Sequence, residues 1–167
     1  LMAQNPRIPD KDQQYLGIAF KPGIAPPLLG IPANQLVDVH IPLEKLNKKL
    51  ADTLTPDVPL KSIKSLINRF DIQLKNLFQN CRFDQRVQKA ITRIQAAYGK
   101  ISLDQTARDL NLSLRQLQRL FSLSVGLSPK QFATISRFLS IHRAMSQKGL
   151  SDLIFLVLEF NYYDQSH

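Results

Sequence analysis

Three Ser-x-x-Gln units, Ser102–Gln105, Ser113–Gln116 and Ser128–Gln131, constrain this chain more than any other feature. In each, the serine oxygen is spaced to accept from the N–H three residues on. The glutamine is spaced to reach back to the serine's own N–H. Each unit stands before an apolar run of helical period, so each predicts a helix start. Leu103, Ala107 and Leu110 share a face of the first helix, and Leu114, Leu117, Leu120 and Phe121 a face of the second. Only Asn111 and Leu112 separate the first helix from the second cap. So short a break forces a sharp turn, and asparagine tolerates the left-handed conformation that a helix end often needs. Ala107 is small where two crossing helices would come closest. The pattern is that of a helix-turn-helix, whose second helix enters the DNA major groove.

With its apolar face buried, the second helix turns Arg115, Gln118, Arg119 and Ser122 outward, at i, i+3, i+4 and i+7. An arginine fork can bond a guanine edge bidentately and a glutamine amide an adenine edge, while serine or lysine can hold phosphate. The plain alternative is a solvated helix face, since arginine and glutamine are ordinary surface residues. Charge bears on the choice. The chain carries a formal +9, and Lys100–Leu150 alone holds eight Lys/Arg against Asp104 and Asp109. A basic stripe is what a polyanionic partner requires. An anionic membrane surface is the rival partner, but this face lacks exposed aromatics.

The run Leu103–Phe132, with LSLRQLQRLFSLSVGLSPKQF at its centre, resembles the first helix-turn-helix of the AraC/XylS family of transcription regulators. The later phrase NYYDQSH resembles the family's second signature region, so the similarity covers roughly Phe83–His167. The resemblance implies a mostly α fold, with tandem helix-turn-helix bundles joined by a long linker helix. It places the family's base-facing positions at Arg115, Gln118 and Arg119, the three residues that helical geometry also picks out. Ser113, Lys130 and Arg137 are candidate phosphate contacts or helix supports. Gln165 and Ser166 would begin the second recognition helix. That motif departs from the family pattern, with Asn161 where glycine is usual, Val157 where alanine is usual and Phe155 where an acid is usual. The implied partners are double-stranded DNA, RNA polymerase, a small-molecule effector and a second copy of the chain.

Residues 1–59 differ from the rest, holding nine of the ten prolines. Tyr15–Phe20 and Leu36–Ile41 read as short strands, the second alternating Val37, Val39 and Ile41 with Asp38 and His40. Lys21-Pro22-Gly23 and Gly30-Ile31-Pro32 are turn signals. A helix is expected from Pro42, with Leu43, Leu46 and Leu50 on one side. Because two strands make no stable sheet alone, the segment reads as a short α+β remnant. Its run FKPGIAPPLLGIPANQLVD resembles the tail of the β-rich domain that precedes the DNA-binding part in some AraC-type regulators, where it senses a ligand or mediates dimerisation.

Residues 60–80 form a connecting helix, with Leu60, Ile63, Ile67, Phe70, Leu74, Leu77 and Phe78 on one broad face. The resemblance assigns residues 81–167 to an AraC-like DNA-binding domain whose second helix-turn-helix is incomplete. Its opening helix, Phe83–Tyr98, repeats Phe83, Val87, Ile91, Ile94 and Tyr98 at helical spacing, and Gly99 stops it. After Gly126 a long helix starts at Ser128-Pro129, with Phe132, Ile135, Phe138, Leu139, Ile141 and Met145 as its apolar surface. Roughly nineteen residues at a 1.5 Å rise would span about 28 Å, against the roughly 34 Å between successive major grooves on one face of DNA. Ser151 caps a last helix, Asp152–Glu159. The chain begins at Leu1 and stops four residues into the second recognition helix, so the expectation is a fragment of a longer regulator.

Other chemistry finds little support. Cys81 is the one cysteine, which leaves no intramolecular disulfide and no cysteine zinc site. His40, His142 and His167 lack ligand spacing, and neither a phosphate-cradling glycine loop nor a nucleophile elbow is present. No enzyme and no cofactor is expected. A DNA-repair alkyltransferase, some of which carry an AraC-like module, would need several cysteines. A helical protein-interaction module that has lost DNA binding is the remaining alternative. No signal peptide opens the chain, and the six-residue apolar run Leu153–Leu158 is far short of a membrane span, so the cytoplasm is the expected compartment.

Overall fold

A computed structural model describes residues 17–54 and 63–148. Tyr15, Leu60, the Asp152–Glu159 helix and the second motif with Gln165 and Ser166 lie outside the described residues, as does the Met145 side chain. The described chain is mostly helical and contains no strand. It forms two compact units. One takes in the described residues as far as Asp84 together with Ser122–Gly126; the other takes in Gln85–Phe121 and the described residues from Leu127 on.

In the first unit, α1 (Ala25–Leu29) starts with prolines in its first turn, where a missing N–H costs nothing, and closes on Gly30 at φ 74°. A single 3-10 turn follows at Ala33–Gln35. The strand expected at Leu36–Ile41 is not formed. The chain turns at Val37–Asp38 with Asp38 at φ 53°, and Val37, Val39 and Ile41 are all exposed. Alternation alone cannot hold a strand whose N–H and C=O groups have no neighbour to pair with.

The single helix expected from Pro42 is broken in two. Asn47 ends α2 (Leu43–Leu46), then caps α3 (Lys48–Leu54) by accepting the Leu50 N–H at 3.0 Å, while its amide donates to the Leu28 carbonyl at 3.3 Å. Leu28, Ala33, Leu50 and Ala51 are buried here. The connecting helix is α4 (Ile63–Phe78), and none of its residues is fully buried. Its C-terminal end is anchored by edge and tilted ring contacts in the row Phe20, Phe78, Phe83, with successive centroids 6.1 Å apart. Ile63 and Ile67, at the other end of its apolar face, stay exposed.

The second unit is built on α5 (Gln85–Ala96). Val87, Ala90, Ile91 and Ile94 recur at i, i+3, i+4 and i+7 and are all buried. This helix is shorter at both ends than its periodicity suggests. Phe83 joins the aromatic row, and Tyr98, at φ 51°, swings out to 54% exposure where a core residue was expected. Gly99, at φ 74°, returns its N–H to the Ile94 carbonyl at 2.8 Å and closes the turn. Next come α6 (Leu103–Asp109), α7 (Leu114–Val125) and α8 (Pro129–Lys148). Thr106, Ala107, Leu117 and Phe121 join Val87 and Ile94 in the core, and Phe121 meets Phe132 of α8 edge-on at 5.8 Å. At 20 residues, α8 is about 30 Å long. Phe132, Ala133, Ser136 and Ile141 are buried, whereas Ile135, Phe138 and Leu139 of its expected apolar surface face solvent.

Candidate nucleic-acid interface

The turn between α6 and α7 satisfies its own backbone. Leu112 donates to the Ala107 carbonyl at 2.9 Å and Asn111 to the Arg108 carbonyl at 2.9 Å, with Asn111 left-handed at φ 54°. These two bonds are those of a Schellman closure, and the buried Leu112 supplies its apolar contact. Asparagine holds the left-handed site with less strain than a branched residue would.

Two of the three Ser-x-x-Gln units close reciprocally. At α7, Gln116 N–H donates to Ser113 Oγ at 3.2 Å and Ser113 N–H to Gln116 Oε1 at 2.8 Å. At α8, the matching bonds link Ser128 and Gln131 at 3.2 and 2.9 Å. The first unit closes on one side only. Ser102 Oγ accepts the Gln105 N–H at 3.2 Å, but the Gln105 side chain points along the helix, donating to Asp109 at 2.7 Å and accepting from Arg108 at 2.9 Å. Charged partners outcompete a neutral backbone N–H. Arg93 completes this cluster with an ion pair to Asp109 at 2.9 Å, between side chains each about two-fifths exposed.

The caps and the turn set the rotation of α7. Leu117 and Phe121 have no exposed surface, Leu114 and Leu120 are half-buried, and the opposite face carries Arg115, Gln118 and Arg119, all exposed. Among the described residues, none of these three side chains takes part in a hydrogen bond or ion pair. The helix contains no acidic residue. Its outer face therefore presents two guanidinium forks and an amide within one turn and a half, with their donors available to a partner.

The other sequence-derived positions divide. Ser113 is exposed at the α7 N-terminus but has its oxygen engaged in the cap. Lys130 is exposed in the first turn of α8. Ser122 is half-buried in the last turn of α7, where its carbonyl accepts the Gly126 N–H at 3.1 Å. Arg137 is half-buried. Its Nη2 donates to the Gly99 carbonyl at 3.3 Å, and its Nε is buried with no partner among the described residues. Of its two expected roles, helix support fits these contacts. The sequence marks Gly99 as a helix stop and Arg137 as a candidate support, but nothing in it brings the two together.

Among the described residues no three His, Cys, Asp or Glu side chains gather as a metal site, and no helix is long and apolar enough to cross a membrane. Comparison with protein-family models, curated proteins and solved structures finds no match to this chain.

Proposed function

We propose that this chain is a sequence-specific DNA-binding transcription regulator of the AraC type, reading the major groove with α7. The observation that carries the reading is the outer face of α7, where Arg115, Gln118 and Arg119 project from a helix capped at both ends, with no acidic side chain on it. Support comes from the local geometry: a Schellman turn, a reciprocal cap and a core closed by Leu117 and Phe121 form a rigid platform for base-reading side chains. Arg115 and Arg119 suit guanine edges and Gln118 an adenine edge. Lys130 is the candidate phosphate contact, giving affinity without sequence preference. The partner is double-stranded DNA, and the compartment is the cytoplasm. RNA polymerase, a small effector and a second copy are further partners that the AraC resemblance adds.

The test is a labelled random-duplex pool titrated at two salt concentrations, with sequencing of the bound fraction. Enrichment of a motif, together with a steep salt dependence, supports the reading. On that motif, Arg119→Ala is expected to cost about 1–3 kcal/mol and to relax the preference at one base position. An unchanged preference would remove Arg119 from the readout. A second reading, a helical protein-interaction module, is favoured by the exposed Ile135, Phe138 and Leu139 of α8. Failure to bind duplex even at low salt would move the weight there.

A further inference from the structure

The last turn of α7 is gripped by a part of the chain far from it in sequence. Gly126, which ends the helix at φ 84°, lies so close to residues 33–37 that a Cβ on it would stand 2.8 Å from Val37 Cγ2 and 3.0 Å from the Ala33 carbonyl oxygen. Ala33 is buried in its 3-10 turn, and the backbone of this stretch is tied by Gln35 N–H to Pro32 O at 3.1 Å and Leu36 N–H to Ala33 O at 2.9 Å. Beside the contact a cavity of about 360 Å³ is lined from one side by Phe20, Pro22 and Leu36 and from the other by Ser124 and Val125 of α7. The apposition is therefore a surface rather than one touching pair of atoms.

We propose that the Lys21–Val37 segment is a buttress for α7, and that Val37 and Gly126 are positioning residues for the face carrying Arg115, Gln118 and Arg119. A helix end is the first part of a helix to fray, because its last carbonyls have no intrahelical donors. Here the end is closed against Val37 and the Ala33 backbone, an approach that a Cβ would crowd, in a left-handed conformation that only glycine adopts without strain. Holding the C-terminal turn limits fraying back toward Phe121 and keeps the outward residues in one register. The consequence for DNA rests on the reading proposed above, whereas the mechanical part does not.

The experiment compares the full chain with Val37→Asp and Val37→Ile. Val37 is 38% exposed, so a carboxylate there reaches water without entering a core. Two quantities are read: amide hydrogen exchange along α7 relative to α5, and preference for a selected duplex over unselected duplex. Val37→Asp is expected to speed exchange at Leu117–Gly126 by about tenfold while leaving Val87–Ile94 unchanged. It is also expected to lower sequence preference about tenfold without altering affinity for unselected duplex or its salt dependence. Val37→Ile should retain wild-type behaviour in both. Unchanged exchange in α7 overturns the buttress. Faster exchange with full sequence preference overturns the positioning role. Should the wild-type chain show no sequence preference, the DNA reading fails, and exchange alone then decides whether the buttress stands.

Discussion

Gly99 and Gly30 share a backbone angle, φ 74°, but not their surroundings, and the pair separates two costs that are usually confounded. Replacing either with alanine places a Cβ in the left-handed region, at about 1–2 kcal/mol. At Gly30 the new methyl meets nothing within 4 Å, so the cost ends there. At Gly99 it would overlap the Ala133 carbonyl oxygen and stand 3.2 Å from the Arg137 amide nitrogen, both backbone atoms of α8. A side chain could rotate away from such an overlap, but a helix backbone must move as a whole. Shifting α8 by about 1 Å costs roughly 1–3 kcal/mol in lost packing, and weakening the Arg137–Gly99 bond adds about 1 kcal/mol. Gly99→Ala should thus cost about 3–6 kcal/mol and Gly30→Ala about 1–2 kcal/mol, against a total stability of roughly 5–15 kcal/mol for an ordinary domain. Native-state hydrogen exchange suits a chain of two units, because each reports separately. Exchange at Val87–Ile94 should accelerate more than a hundredfold in Gly99→Ala, at about 1.4 kcal/mol per tenfold. At Leu50–Ala51 in Gly30→Ala it should rise only about tenfold. Equal losses at the two sites would refute the argument that α8 is seated against Gly99.

Arg137→Ala should lower the stability of the second unit by about 1 kcal/mol, as measured by urea titration, because it removes a charged donor from a backbone carbonyl. It should leave the salt slope of duplex binding unchanged, while Lys130→Ala should reduce that slope by about 1; the reverse pattern would make Arg137 the phosphate contact. Gln116→Ala breaks a reciprocal cap, and Gln105→Ala does not. The first should cost about 1 kcal/mol through the α7 cap, and the second should leave the Ser102 cap intact while releasing Arg108 and Asp109. The two are distinguished by exchange at the amides of each helix's first turn.

The turn at Asn111 and the outward set Arg115, Gln118 and Arg119 were legible because each depends on contacts within about four residues. A Schellman closure needs a residue tolerant of positive φ followed by an apolar one, and Asn111-Leu112 supplies both. The face of α7 needs only helical period and a rule about which side is buried. Two local readings nevertheless failed. Gln105 was expected to close its cap, but Arg108 and Asp109 offered charged partners one turn away. Tyr98 fits the α5 period, yet the chain leaves the helix two residues earlier, and a periodic pattern does not record where its backbone stops.

Elsewhere the outcome depended on what stood opposite. The alternation at Leu36–Ile41 describes a strand only if another strand supplies hydrogen-bond partners, and among the described residues none does. The apolar run from Pro42 breaks because Asn47 finds the Leu28 carbonyl, a partner nineteen residues away. The exposed Ile135, Phe138 and Leu139 on α8 carry the same residue types as its buried positions. By itself, then, the sequence determined the capped helices, the sharp turn and the basic outer face of α7, since these follow from short-range hydrogen bonding and period. Only the tertiary structure decided that Arg137 holds Gly99 and that Gly126 meets Val37. These contacts join residues 38 and 89 positions apart, and each depends on where two separate stretches of backbone come together, which no local pattern of residue types encodes.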